Sequence, residues 1–336
     1  MSERTPRRLR AGVIGLGSMG RNHVRVYDEL VDEVELVAVA DPDPAAVQRA
    51  IAGRTARGYG DTARMFAEER LDLLSVAAPT SRHLTVTLEA LAAGVNVLVE
   101  KPIAGAREEA ERMIAAARDA GKMLTVGHIE RFNPAIRELK RRLDSHELGR
   151  IFQIKATRLG PFPARIRDVG VVVDLAPHDL DIMLYLIGSA PIRLYAETEQ
   201  RIHTDHEDLF NGMLKFANGV VGILDINWLT PTKLRSLSVT GERGMYVADY
   251  IAQDLIFHAN PDIGSVAEGE MTRRYVRREE PLAVELGEFA RAVRDGSPPP
   301  VEPHDALVAL LLSRKMVEAG ESGQVIDGVA LQEALS

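Results

Sequence analysis

The stretch Ala11-Gly-Val-Ile-Gly15-Leu-Gly17-Ser18-Met19-Gly20 decides the fold of this chain. Ala11–Gly15 is a short apolar run of the kind that forms a strand buried on both faces. A helix-like stretch, Arg21–Leu30, follows the glycines. Between them stands G-x-G-x-x-G, and the strand before and helix after give that pattern its meaning. In that context Gly15 permits a tight turn and Gly17 lets the backbone approach a pyrophosphate. Gly20 lets helix and strand pack closely, and the helix N-terminus, with Ser18 and Met19, faces the anion. Asp41 closes the second apolar run, 21 residues after Gly20. A carboxylate at that place grips an adenosine ribose 2′-hydroxyl and repels a 2′-phosphate. Pro42 and Asp43 follow with no arginine close by, so the expected cofactor is NAD rather than NADP. The plain alternative is a structural turn and a helix-capping aspartate.

Outward from this motif the chain alternates between two periods. Glu35–Ala40, Leu73–Ala78, Asn96–Glu100 and Met123–Gly127 are further apolar runs. Pro44–Ala52, Ser81–Ala93 and Ala106–Ala120 are helix-like and end at Gly53, Gly94 and Gly121, with Ser81 as a candidate cap. This alternation predicts a doubly wound parallel sheet with helices on both faces over residues 1–129. After Gly127 the pattern changes. A helix is expected over Pro134–Ser145 and another over Val171–Ile187. Otherwise alternating runs dominate from Ile151 to His258, with hairpin turns at Ala217-Asn-Gly219 and Gly241–Gly244. Residues 130–336 therefore read as a second α/β domain with a largely antiparallel sheet. Leu282–Arg294 and His304–Glu318 are closing helices that could pack back on the first domain, and Asn260–Glu280 reads as a polar loop.

Composition narrows the function. The 336 residues suffice for two domains, and 46% hydrophobic with 27% charged residues is a globular composition. Lys+Arg of 41 against Asp+Glu of 49 gives a net charge of −8, which argues against a nucleic-acid partner. No apolar run approaches the ~18 residues of a membrane helix, so no membrane partner is expected. Zero cysteines exclude disulfides, thiolate nucleophiles and cysteine zinc sites. The basic start MSERTPRRLR runs into glycine-rich sequence rather than an apolar signal core, so a cytoplasmic location is expected.

Three places carry chemistry. Glu100-Lys101-Pro102 ends the Asn96–Glu100 strand, where open α/β sheets bind ligands. The Lys101 ammonium can hydrogen-bond a reacting oxygen, Glu100 can orient it, and Pro102 biases it away from helix. The second place is Asp174-Leu-Ala-Pro-His178-Asp179-Leu-Asp181. Asp174 and His178 share a helix face, with Asp181 three residues further on. A histidine beside a carboxylate suits proton transfer. Metal ligation by Asp174, His178 and Asp181, or plain capping, are the alternatives. The third is a local sign reversal: Arg150, Lys155, Arg158, Arg165 and Arg167 with no acid between Leu148 and Arg167. Such a stretch fits either a solvated face or an anionic substrate such as a nucleotide sugar. His203-Thr-Asp-His206-Glu-Asp208 matches no standard ligand set and reads as a solvated connector, so no metal is expected; Trp228 reads as packing.

G-x-G-x-x-G, Glu100-Lys101-Pro102 and Gly170-x-x-x-Asp174-x-x-x-His178, in this order, resemble the Gfo/Idh/MocA oxidoreductase family over essentially the whole chain. The resemblance implies a Rossmann domain followed by an α/β domain with an open antiparallel sheet whose exposed face often makes oligomer contacts. A homo-oligomer, dimer or tetramer, is thus expected. It also implies NAD-dependent oxidation at a sugar or cyclitol carbon, with Lys101 and His178 as the catalytic pair and Asp174 supporting them. Gly127-His-Ile-Glu-Arg-Phe-Asn-Pro134, Gly160–Gly170 and Asn227-Trp-Leu-Thr-Pro231 resemble a group of that family that oxidises the 3-hydroxyl of UDP-N-acetylglucosamine. On that reading Thr80, His83, Glu100 and Asn133 belong to the cofactor site. Arg158, Arg165, Arg167 and Asp181 belong to the substrate site, the arginines on the diphosphate. Either Lys101 or His178 could be the immediate base. The rivals are a dehydrogenase of free sugars or inositols, a non-catalytic NAD-sensing protein, and a metal-dependent hydrolase or isomerase.

Overall fold

The computed structural model describes residues 7–163, 169–203, 205–261 and 269–335. Arg165 and Arg167 therefore lie outside the described residues. Residue contacts divide the chain into two compact units, Met1–Ile129 with Glu280–Leu307 and Glu130–Glu279 with Val308–Ser336.

The first unit is built on a parallel sheet. Its strands are β1 (Leu9–Ile14), β2 (Val34–Ala40), β3 (Arg57–Tyr59), β4 (Leu73–Val76), β5 (Asn96–Glu100) and β6 (Leu124–Gly127). They lie in the order β3-β2-β1-β4-β5-β6, and every pairing is parallel. This is the doubly wound order, whose reversal between β1 and β4 opens a crevice at the strand C-termini. The helices are α1 (Ser18–Glu29), α2 (Pro44–Ile51), α3 (Thr62–Glu68), α4 (Thr80–Ala92) and α5 (Arg107–Ala120). Local chemistry starts them. Asp43 accepts from the Ala45 amide at 2.9 Å and Pro44 opens α2, while Asp61 accepts from the Arg64 amide at 2.8 Å. The helix Pro281–Asp295 adds Leu282, Leu286 and Phe289 to the core of Val13, Val24, Tyr27 and Val39. Ser81 is not the α4 cap: the helix begins at Thr80, with Pro79 in the capping position.

The second unit holds a nine-stranded sheet. Its strands are β7 (Ile151–Pro161), β8 (Pro191–Glu199), β9 (Leu209–Phe216), β10 (Val221–Asn227), β11 (Leu229–Gly241), β12 (Gly244–Asp249), β13 (Asp254–Ala259), β14 (Met271–Arg274) and β15 (Ile326–Asp327). The order is β14-β13-β12-β11-β7-β10-β9-β8-β15. All neighbours are antiparallel except β7 and β10. Helices α6 (Pro134–Asp144) and α7 (Val171–Ile187) bury their apolar sides with Ile154, Leu224, Leu237 and Tyr246 in one core. Burial alternates along β9 and β10, so the sheet has an inner face and an outer one where Met213 is 52% exposed. Both expected hairpin turns are present, joining β9 to β10 and β11 to β12. The stretch Asn260–Glu280 contains β14 and is more than a loop. Among the described residues no helix is long and apolar enough to cross a membrane.

Candidate active site

The glycine motif has the geometry its spacing demands. Gly15 has a φ of +87°, and a Cβ there would lie 2.5 Å from the Ala78 amide nitrogen. A Cβ on Gly20 would lie 1.8 Å from the Gly15 carbonyl oxygen, so helix and turn touch backbone to backbone. Gly17 faces open space and is the N-cap of α1, with no side chain capping the first turn. The amides of that turn, at Ser18, Met19 and Gly20, are therefore free for an anion. Asp41 is tied in place: its carboxylate accepts from the Leu16 amide at 2.7 Å and the Asp43 amide at 2.8 Å. A carboxylate accepts about four hydrogen bonds, which leaves capacity for a ribose hydroxyl. The capping residue of α2 is Asp43, not Asp41. A cavity of about 700 Å³ is lined by Gly15, Gly17, Asp41, Pro42, Thr62 and Arg82, among others. These residues fit a dinucleotide. Arg82, distant in sequence, lines the same cavity as Asp41.

Lys101 follows β5 directly, is half-buried, and forms a cis peptide with Pro102. Glu100 is buried. Its carboxylate accepts from His23 Nε2 at 2.9 Å and from the Lys101 backbone amide at 3.3 Å. His23, fully buried on α1, escaped the sequence reading. Burial pushes the Glu100 carboxyl up, yet the His23 hydrogen bond and the Lys101 charge outweigh it and hold it below its ordinary 4.5. The glycine-loop helix and the lysine turn thus share one buried link. Backbone carbonyls engage both ring nitrogens of His83, so neither is left open to a cofactor. Its Nδ1 lies 3.0 Å from the Pro102 carbonyl and its Nε2 2.9 Å from the Ala78 carbonyl, which makes it a strut under the lysine turn. Burial pushes its pKa down against the pull of those carbonyls. Thr80 is half-buried at the first position of α4.

In the second unit, α7 runs unbroken through Pro177 and holds Asp174 and His178 half-buried. Two other carboxylates of this helix are fully enclosed. Asp179 takes both arms of Arg158, at 2.7 and 3.0 Å, and Glu130 takes a third contact at 3.0 Å. Asp181 takes both arms of Arg131, at 2.8 and 2.6 Å. Arg158 is 3% exposed and Asp181 0%, so neither is available to a substrate or a metal. These are corrections to the sequence reading, and their cause is bidentate pairing in the interior, which ties α7 to β7 and to Arg131. Asn133 is corrected too. Its side chain caps α6 through the Ala135 amide and donates to the Tyr250 carbonyl, both at about 3 Å.

The His203–Asp208 stretch is no solvated connector. Asp208 is fully buried and accepts from the amides of Arg201, Ile202 and His203. His203 stacks on Trp228. Glu207 accepts from the Val172 amide at 3.1 Å with its side chain, and its carbonyl accepts from the Val171 amide at 2.9 Å. It therefore closes the N-terminus of the helix that carries Asp174 and His178. A Cβ on Gly170 would meet the Glu207 carboxylate at 2.0 Å, so a side chain there would push that carboxylate off the Val172 amide. The signal in sequence was Gly170 itself, with an acidic cluster to meet it.

Comparison with known proteins agrees with this architecture. A profile described as oxidoreductase family, NAD-binding Rossmann fold, matches residues 9–128, and the GFO/IDH/MocA C-terminal domain matches 136–247. A UDP-N-acetylglucosamine 3-dehydrogenase from Acidithiobacillus ferrooxidans is 30% identical over 319 residues, 93% of this chain and 98% of the relative. A scyllo-inositol 2-dehydrogenase (NAD(+)) from Bacillus subtilis is 26% identical, over 90% of this chain and 91% of its own. A solved structure of the A. ferrooxidans enzyme superposes with a TM-score of 0.86 at 26% identity, covering 94% of this chain and 99% of the other. The chain therefore belongs to the Gfo/Idh/MocA oxidoreductase family and is an NAD-binding sugar dehydrogenase by fold and kinship.

Proposed function

We propose that this chain oxidises the sugar 3-hydroxyl of UDP-N-acetylglucosamine to a 3-keto sugar. The observation that carries the substrate is the 30% identity, along nearly the whole length of both chains, to a UDP-N-acetylglucosamine 3-dehydrogenase. Bound NAD⁺ supplies the hydride acceptor. The chain's own residues do the rest. The first turn of α1 and Asp41 hold the pyrophosphate and ribose. Lys101 donates a hydrogen bond to the reacting oxygen and stabilises its alkoxide character. His178 takes the hydroxyl proton, with Asp174, one turn earlier on the same helix, orienting it. Arg165 and Arg167, directly ahead of α7 in sequence, are assigned to the diphosphate. The reading includes a cytoplasmic homo-oligomer, with the outer face of the second sheet, at Met213, as the contact.

A second reading is a dehydrogenase of inositols or free sugars. It is favoured by the inositol dehydrogenase relative and by Arg158, which buried carboxylates hold away from any diphosphate. The test is reduction of NAD⁺ by the purified protein with UDP-N-acetylglucosamine, N-acetylglucosamine and inositols in parallel, each with a ketone trap. Turnover of the nucleotide sugar alone supports the first reading, and turnover of an inositol alone replaces it with the second. Lys101→Met and His178→Asn should each lower kcat by ~10²–10⁴-fold with NADH binding retained. A variant with normal kcat removes that residue from the mechanism.

A further inference from the structure

Among the cations near α7, Arg235 stands apart. It lies on β11 directly opposite Arg158 of β7. Opposed residues of antiparallel strands project from the same face, their Cα atoms about 4.5–5.5 Å apart. That face is the inner one, since Leu237 and Val239 further along β11 are fully buried. Arg158 is enclosed by Asp179 and Glu130. Arg235, its neighbour, is half-buried and makes no ion pair or side-chain hydrogen bond among the described residues. A guanidinium carries five N–H donors, and withdrawing it from water without a partner is unfavourable. Burial, with the like charge of Arg158 behind it, pushes the Arg235 pKa down. The carboxylates that counter this are Glu130, Asp179 and Asp174. Arg235 thus feels the charge of Asp174, one helical turn from His178, and keeps its donors uncommitted.

We infer that Arg235 binds an oxyanion of the substrate, a phosphate or a carboxylate, at the side of the second unit that carries Asp174. Arg158 was the natural candidate from its place in the basic stretch, but its donors are engaged. Arg235 lies outside that stretch, and the pairing of β11 with β7 brings it to the same place. The inference rests on the reading that the chain acts on a sugar substrate, and it adds the residue that binds that substrate's anionic group. It also implies an energetic signature. A residue held for a ligand contributes little to folding, so its removal leaves stability unchanged or raised.

Titration calorimetry of the full chain with NADH present tests it, using UDP and glucuronate as separate probes on wild type, Arg235→Met and Arg235→Lys. Losing a charge-assisted, forked contact should weaken the responding probe about 10–100-fold in Arg235→Met, and less in Arg235→Lys. NADH affinity should be unchanged, and thermal unfolding followed at Trp228 should occur at the same temperature or higher. Loss of UDP binding identifies the diphosphate as the partner, and loss of glucuronate binding identifies a carboxylate. Equal binding of both probes to wild type and Arg235→Met, or no binding of either to wild type, overturns the inference. Arg235-dependent UDP binding without oxidation of UDP-N-acetylglucosamine would leave the inference standing and remove the substrate reading. Oxidation of that sugar with an unchanged KM in Arg235→Met would do the reverse.

Discussion

Replacing Arg158 by methionine separates a structural arginine from a substrate ligand. The side chain is 3% exposed and bridges Asp179, 1% exposed, and Glu130, 9% exposed. Deleting the guanidinium leaves two buried carboxylates without their shared cation. Breaking a buried pair from one side costs about 3–5 kcal/mol, because the remaining charge stays uncompensated. For a unit of this size that corresponds to a fall in Tm of roughly 6–20 °C. Trp228 is the only tryptophan and is buried in the same unit, so its fluorescence reports the relevant transition. Urea unfolding of wild type and Arg158→Met should show a much lower midpoint with a similar slope. Arg158→Lys should fall between them, since it keeps the charge and loses the fork. Below the transition, the KM for the sugar substrate should change little. A methionine variant as stable as wild type, with a KM raised tenfold or more, would return Arg158 to the substrate site.

The cap of α7 gives another test: Glu207→Ala should cost about 0.5–2 kcal/mol. Gly170→Ala should cost no more than that, read by the same fluorescence midpoint, because its Cβ displaces the flexible end of Glu207 and loses at most the same cap. Asp41→Ser should raise the ratio of NADP to NAD activity by about tenfold or more, since a repelling carboxylate is lost while Arg82 remains on the cavity. Steady-state kinetics with both cofactors measures it. Glu100 is held below 4.5, so its contacts stabilise the fold above that value and are lost as pH falls through the lower folded-state value. Glu100→Gln should therefore cost roughly 1–3 kcal/mol at neutral pH, with the gap from wild type closing below pH ~4.

Much of the first unit is legible because its signals are local. Strand, glycine turn and helix are contiguous from Leu9 to Glu29, and Asp41 and Lys101 each end a strand whose apolar run announces it. What escaped is short or non-local. β3 has three residues and two of them are exposed, so no apolar run marks it. His23 looks like any helix residue until β5 brings Glu100 to it. In the second unit, helical spacing identified the pair Asp174 and His178 but could not separate them from Asp181, which rotates inward to Arg131. Composition likewise grouped Arg158 with exposed cations. Only the pairing of strands and the packing of α7 show that its charge is enclosed, whereas that of Arg235 is open. The acidic loop 205–208 misled for the same reason, since a run of charges on paper is a helix cap in space.

In the proposed reaction hydride leaves C3 of a nucleotide sugar. UDP-N-acetylglucosamine carrying deuterium at C3 should be incubated with the protein, NAD⁺ and a ketone trap, and the reduced cofactor analysed by mass spectrometry and proton NMR. One deuterium should appear at nicotinamide C4 for each 3-keto sugar formed. Unlabelled NADH, or no NADH from this sugar while an inositol is oxidised, would contradict that reaction.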